Sequence, residues 1–211
     1  MYKKSILMFL SLFFLVSCQK EPDLNEMDNE YMVYTQNDTS FSPEEYSTFY
    51  IPDSILVISY SDKPEYMYNN ISGKLIDAYV SNMEQMGYSR VTEKENADLG
   101  IQLSYISDTH YFTGYVSSPY WWWGYPGYWD PFYWGSWIGW VYSFPINYSY
   151  SENSLLTEMV DLKSVEDKKH KLPVVWNAYI SGDLSGYTHF DVNRMLRGID
   201  RTFGQSPYLK K

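Results

Sequence analysis

Apolar positions recur along this chain with periods that name the elements. Between residues 70 and 86, Ile71, Leu75, Tyr79, Met83 and Met86 return every three or four positions, and Ile76 and Ala78 broaden the stripe. That spacing predicts an amphipathic helix with one face on a core. Gly87 follows as a C-cap, because glycine takes the left-handed conformation without Cβ strain. Residues 98–106 change period. Leu99, Ile101, Leu103 and Tyr105 alternate with Gly100, Gln102 and Ser104, which predicts a strand with one buried face. Its other face is wet or covered by something polar, and Asn96-Ala97-Asp98 is the turn that feeds it.

Residues 155–162 predict a second strand whose faces the pattern does not distinguish. Residues 172–181 predict a third, with Val174, Trp176, Ala178 and Ile180 sharing a face. Trp176 is expected in the core, beneath a helix. Residues 189–203 carry Val192, Leu196, Ile199 and Phe203 at helical spacing with Met195 adjacent, and Gly204 and Pro207 stop the helix. Asp191 lies near its start, where negative charge favours the exposed N–H groups. Earlier in the chain, Tyr46–Tyr50 and Ile55–Tyr60 are β-prone runs parted by the turn at Pro52-Asp53. Ser164–Lys171 reads as a charged hairpin-like connection and residues 182–186 as a loop. The order is strand, helix, strand, insertion, strand, strand, helix. This is an α+β pattern: a two-layer sandwich, mostly antiparallel, its sheet covered on one face by two helices.

The start of the chain is of another kind. Lys3 and Lys4 precede an apolar run from Ile6 to Val16, which ends in Leu15-Val16-Ser17-Cys18. These are the parts of a secretory signal. The tetrapeptide resembles the lipobox of bacterial lipoproteins. The resemblance implies that residues 1–17 are a lipoprotein signal peptide and that Cys18 is lipidated and tethers the mature chain to a membrane. The apolar run is too short to span a bilayer, which takes about 20 residues. Cys18 is the one cysteine, so lipidation leaves no thiol for a disulfide, a nucleophile or a metal. Residues 18–44 are polar and acidic and read as a flexible tether to a single domain over 45–211. The opening Cys18-Gln19-Lys20-Glu21-Pro22-Asp23 also resembles surface-export signals of Bacteroidetes lipoproteins. Both the periplasmic face of the outer membrane and the cell surface stay open. Net charge is −10, and loss of Lys3 and Lys4 with the signal makes it more negative. That disfavours nucleic acid and anionic lipid surfaces as partners.

The remaining feature is an aromatic-rich insertion at 117–150. It holds seven of the eight tryptophans, and its formal charge is confined to Asp130. Pro126, Pro131 and Pro145, with frequent glycine, break any regular helix or central strand. Trp121, Trp122, Trp123, Tyr125, Tyr128, Trp129, Tyr133, Trp134, Trp137 and Trp140 are the candidate binding residues, since such rings offer rigid faces with a polar edge. A glycan, peptidoglycan or envelope-protein partner fits this chemistry. So do a membrane interface, a self-assembly surface and a segment folded back to extend the core. The insertion links two strands that carry their own patterns, so the rest of the domain is expected to fold without it. Nucleic-acid stacking wants a basic groove, and the segment has no Lys or Arg.

Catalytic signals are sparse. His110, His170 and His189 have no partner at metal-ligand spacing and read as surface histidines. Asp98 and Asp161 lie near strand ends, where aspartates serve turns and caps more often than a glycosidase pair. No nucleophile elbow, phosphate loop or dinucleotide fingerprint occurs. The expectation is a non-enzymatic protein without cofactors. Hydrolysis of an envelope polysaccharide is the enzyme alternative, and a structural or self-assembling envelope protein the third.

The order of the motifs is itself distinctive. A Tyr-x-Thr-Phe element at Tyr46–Phe49 leads to a helix ending in Met86-Gly87-Tyr88. Ala97-Asp98-Leu99-Gly100-Ile101, Val160-Asp161 and Val174-Val175-Trp176-Asn177-Ala178 follow, and a last helix runs to Phe203. Over roughly residues 45–204 this resembles the domain-of-unknown-function 4136 family of bacterial lipoproteins. The resemblance implies an envelope lipoprotein with an α+β domain, Gly- and Tyr-rich insertions between the second and third strands, and no established activity or catalytic residues.

Overall fold

The computed structural model describes residues 33–59, 65–107, 131–134, 140–142, 153–163, 172–181 and 192–211. Among the described residues nine strands form one mixed, mostly antiparallel sheet: β1 (Val33–Asn37), β2 (Thr48–Tyr50), β3 (Ile55–Ile58), β4 (Glu65–Met67), β5 (Ser89–Arg90), β6 (Leu99–Ile106), β7 (Trp140–Tyr142), β8 (Ser154–Asp161) and β9 (Leu172–Ile180). The helices are α1 (Asn70–Gln85), the single turn α2 (Pro131–Trp134) and α3 (Val192–Gly204). The main path runs β1-β9-β8-β6-β2-β5. β1/β9, β9/β8 and β8/β6 are antiparallel, whereas β2 and β3 both lie parallel along the same side of β6. α1 and α3 cover one face, so the α+β two-layer sandwich expected from the pattern is the architecture found.

Local chemistry sets the helix ends. Asn69 Oδ1 accepts from the N–H of Ile71 (2.8 Å) and of Ser72 (3.0 Å), and Ser72 Oγ accepts from the N–H of Asn69 (2.9 Å). This reciprocal capping box satisfies donors that the first turn leaves open. At the other end Gly87 has φ of 100°, the left-handed cap expected of it. From α1, Leu75, Ile76, Tyr79 and Met83 are buried, while Ile71 and Met86 pack at the margin. From α3, Met195, Ile199 and Phe203 are buried, and Gly198 brings the helix close to β9. A Cβ there would stand 2.8 Å from Ile180 Cγ2.

The core centres on Trp176, fully buried as expected. Its ring lies 5.7 Å from Phe203, which in turn meets Tyr79 edge-on at 5.6 Å. Both polar atoms buried with these rings are satisfied. Trp176 Nε1 donates to Ser206 Oγ (3.1 Å), and the Tyr79 hydroxyl bonds Thr157 Oγ1. Burial pushes the Tyr79 phenol above its ordinary range, so it stays neutral.

Several expectations change. The tether was expected to run to residue 44, but the chain joins the sheet at Val33, where β1 pairs with β9. Phe41 then stacks on Tyr46, with centroids 5.1 Å apart. A short, polar edge strand carries no apolar alternation, so its pairing is invisible until β9 is present to receive it. Val174 does not share a face with Trp176. A bulge between Met159 and Val160 sets Met159 opposite Trp176 and Val160 opposite Val174, leaving Val175 as the extra residue. Strands β4, β5 and β7 had no sequence expectation; each has two or three residues, too short for a period to show. Ser164–Lys171 and the loop at 182–186 lie outside the described residues.

Trp176→Ala is expected to lower unfolding free energy by about 3–5 kcal/mol through the cavity it leaves. Urea denaturation followed by circular dichroism measures it, and a loss under about 1 kcal/mol would contradict a fully packed ring.

Candidate functional site

The face of the sheet turned away from α1 and α3 holds the candidate site. Register sets four polar side chains in one row across it. Gln36 on β1 lies opposite Asn177 on β9, Asn177 opposite Glu158 on β8, and Glu158 opposite Gln102 on β6. Gln102, Glu158 and Asn177 are buried. Burying amides and a carboxyl is costly unless the cover offers hydrogen bonds. A second buried polar pair lies beyond the row, where Ser154 Oγ and the Tyr179 hydroxyl are 2.9 Å apart.

The α2 turn supplies part of the cover. Trp134 is only 1 % exposed. Its six-membered ring lies over Gly100, where a Cβ would stand 2.7 Å from Trp134 Cη2 and 3.1 Å from Val160 Cγ2. Only glycine leaves room for this approach. The indole Nε1 donates to Gln102 Oε1 at 2.8 Å, and Gln102 Nε2 donates onward to Ser104 Oγ at 3.1 Å. Tyr50 meets the same indole edge-on at 6.2 Å. Beside it, the Tyr133 hydroxyl bonds Ser54 Oγ, and Lys94 Nζ donates to the Tyr133 carbonyl at 2.9 Å. Farther along, β7 pairs parallel with β9, with Trp140 opposite Leu172 and Tyr142 opposite Val174.

A family model described as a domain of unknown function (DUF4136) matches residues 33–208. The chain belongs to the DUF4136 family. It is similar to a DUF4136 family protein from Bacteroides thetaiotaomicron VPI-5482 of known crystal structure. The two share 49 % identity and a TM-score of 0.75, over 87 % of this chain and 99 % of that one. A remote match to a protein from Xanthomonas campestris, assigned to the family model DUF330, has 10 % identity, covers 83 % of this chain and 87 % of that one, and has a TM-score of 0.28, too low to carry any argument. No curated protein matches the chain.

Within this DUF4136 domain the expected binding residues divide. Trp121, Trp122, Trp123, Tyr125, Tyr128, Trp129 and Trp137 lie outside the described residues, and Trp140 begins β7. Tyr133 and Trp134, named as candidate binding residues, are both buried, with Trp134 turned inward onto the sheet, as the reading that folds the segment back to extend the core expects of them. The reason is the sheet itself: Gly100 opens a slot, and Gln102 offers the indole its acceptor. Tyr133 and Trp134 are therefore packed into the domain, in contrast to the expectation that the rest of the domain stands apart from the insertion.

Asp98 and Asp161 sit at neighbouring strand ends, with Asp161 opposite Leu99. Asp98 Oδ2 accepts from the N–H of Ser47 (2.6 Å) and of Thr48 (3.1 Å), which fixes the start of β2. Asp161 Oδ1 accepts from the N–H of Lys163 (2.7 Å), and Oδ2 from the Tyr46 hydroxyl (3.1 Å). Burial, and then the Asp161 charge, push the Tyr46 phenol upward, so it remains the donor. Both carboxylates are thus committed to backbone and tyrosine. His110, His170 and His189 lie outside the described residues. Among the described residues no group of three or more His, Cys, Asp or Glu is placed to hold a metal ion.

Sequence reading missed the Gln102–Glu158–Asn177 row. A signal was present: Glu158 is a charged residue inside the apolar run Leu155–Val160, and Asn177 interrupts Val174–Ile180. Polar residues inside strands buried on both sides mark a face with a polar cover.

Gly100→Ala should cost about 1–3 kcal/mol by overpacking against Trp134. In a Trp134→Ala background the same change should be smaller by about 0.5–3 kcal/mol, because the clash is gone. Urea unfolding of the four proteins of this cycle tests the contact, and additive effects would rule it out.

Proposed function

We propose that this chain is a lipid-anchored protein of the bacterial cell envelope, non-enzymatic, that binds a glycan or an envelope protein through its Trp/Tyr-rich insertion. The observation that carries the reading is the anchoring of that insertion. Trp134 and Tyr133 fasten it to the sheet, so an aromatic segment with one formal charge starts from a rigid base. A platform held this way loses less conformational freedom on binding than a free loop. The commitment of Asp98 and Asp161 to local hydrogen bonds supports binding over hydrolysis. Lipid attachment rests on the lipobox-like Leu15-Val16-Ser17-Cys18. Among the described residues no helix is long and apolar enough to cross a membrane.

Two measurements test this. The full chain expressed in a bacterial host should enter the detergent phase on Triton X-114 partition and take up an alkyne-labelled fatty acid. Cys18→Ala should abolish both, and labelling that survives the change would end the lipoprotein reading. For the insertion, residues 19–211 carrying Trp176→Phe report only its seven tryptophans. Titration with peptidoglycan fragments, neutral glycans and lipid vesicles should give a saturable emission shift with one of them. Blue-shifted emission that none of the three changes would assign the whole insertion to architecture.

A further inference from the structure

A cleft of about 380 Å³ opens beside the first turns of α1, lined by Asp53, Tyr68, Asn70, Gly73, Asp77 and Arg90 among others. We propose that it is a subsite for a neutral oligosaccharide, with the Tyr68 ring as its stacking surface. The volume falls near the lower end of small-molecule sites, roughly 300–1,000 Å³, which suits one or two sugar rings.

Gly73 is the first observation. It sits inside α1, where glycine weakens a helix relative to alanine. A Cβ on it would meet nothing within 4 Å. Packing therefore does not call for glycine here, in contrast to Gly100 and Gly198, whose Cβ positions are occupied by neighbours. The space kept open above Gly73 is the cleft, and Ile76 and Asp77 lie on the same side of the helix, three and four residues on.

Charge selects the ligand class. Two carboxylates, Asp53 and Asp77, face one guanidinium. Arg90 Nη2 is already held by Asp53 Oδ1 at 2.8 Å and reaches the Ile51 carbonyl at 3.4 Å. The helix start is closed as well, since Asn69 Oδ1 takes the N–H groups of Ile71 and Ser72. The cleft's charged groups, two carboxylates and one guanidinium, sum to −1, which disfavours an anion, and a wholly apolar ligand would strip water from carboxylates and amides. A ligand rich in hydroxyls supplies donors to Asp53 and Asp77, while Asn70 can both donate and accept. Its C–H face can lie on Tyr68, which is 79 % exposed. Tyr66, two residues earlier and 41 % exposed, meets Tyr133 edge-on at 5.5 Å. Aromatic surface therefore leads from the cleft toward the base of the insertion, although the cleft needs none of the insertion's tryptophans.

The test uses the full chain in detergent on an array of neutral oligosaccharides, followed by saturation-transfer NMR with maltohexaose and chitotetraose. The expected result is saturable binding of a neutral oligosaccharide, weakened at least tenfold by Gly73→Leu and by Tyr68→Ala. The melting temperature of Gly73→Leu should be equal to or above the parent's, since leucine favours the helix and fills open space. Tyr68→Ala changes an exposed ring and keeps the test valid should the leucine variant fold poorly. Absence of binding across the array, parent-like binding by the folded variants, or equal binding of inorganic phosphate would overturn the proposal. A combined Trp121→Ala, Trp122→Ala, Trp123→Ala variant separates the two readings. If it alone loses binding, the cleft is excluded and the insertion retained; if it binds like the parent, the cleft stands by itself.

Discussion

Strand β8 has no solvent-facing side, and the rest of the domain is arranged to meet that constraint. Every residue from Ser154 to Asp161 is buried. On one side Leu155, Thr157 and Met159 meet α1, α3 and Trp176. On the other, Leu156, Glu158 and Val160 lie under a cover that includes Trp134. The two sides demand different chemistry. The helix side is apolar and is filled by rings and branched chains. The far side contains a carboxyl and amides in register, and hydrocarbon alone would leave them at a cost of about 1–3 kcal/mol each. An indole answers both needs, because it brings apolar area and a single N–H to one acceptor.

The legibility of the elements follows the range of the forces that make them. α1 could be read because its stripe, its cap and Gly87 all lie within one segment of sequence. β6 could be read because alternation is local too, and even the polar cover over Gln102 and Ser104 was implied by their side chains. The identity of that cover was not legible. Trp134 stands 32 residues from Gln102, in a segment whose many aromatic residues are alike to any pattern. Val174 was placed on the wrong face because a single inserted residue reverses parity, and a bulge is fixed by the partner strand. β1 was lost in acidic sequence for a related reason: edge strands of low apolar content gain their order from the strand they join.

The corner built by Asp98, Asp161, Tyr46 and Lys163 shows how far a carboxylate can mislead when read from sequence. Both aspartates end strands that pair with each other, so they come close together, as a catalytic pair would. Asp98 Oδ2, however, is engaged by the N–H groups of Ser47 and Thr48, and the two Asp161 oxygens by the N–H of Lys163 and the Tyr46 hydroxyl, while Asp98 Oδ1 lies 3.9 Å from Lys163 Nζ. The corner joins three strand ends, and its charges set the entry of β2 into the sheet.

The outer side of β9 is closed in two pieces. β7 occupies Leu172–Val174 and β1 occupies Trp176–Ile180, while the bulged Val175 gives its carbonyl to the N–H of Asp38 at 2.9 Å. One piece, β1, comes from the start of the domain, and the other, β7, from the segment between β6 and β8. Until both have arrived, β9 is an apolar strand with open hydrogen-bonding groups, the kind of edge on which another chain can template. Protection against self-association is thus shared between a polar stretch that precedes the first helix and a strand from the aromatic insertion, and it is complete only when both have joined β9.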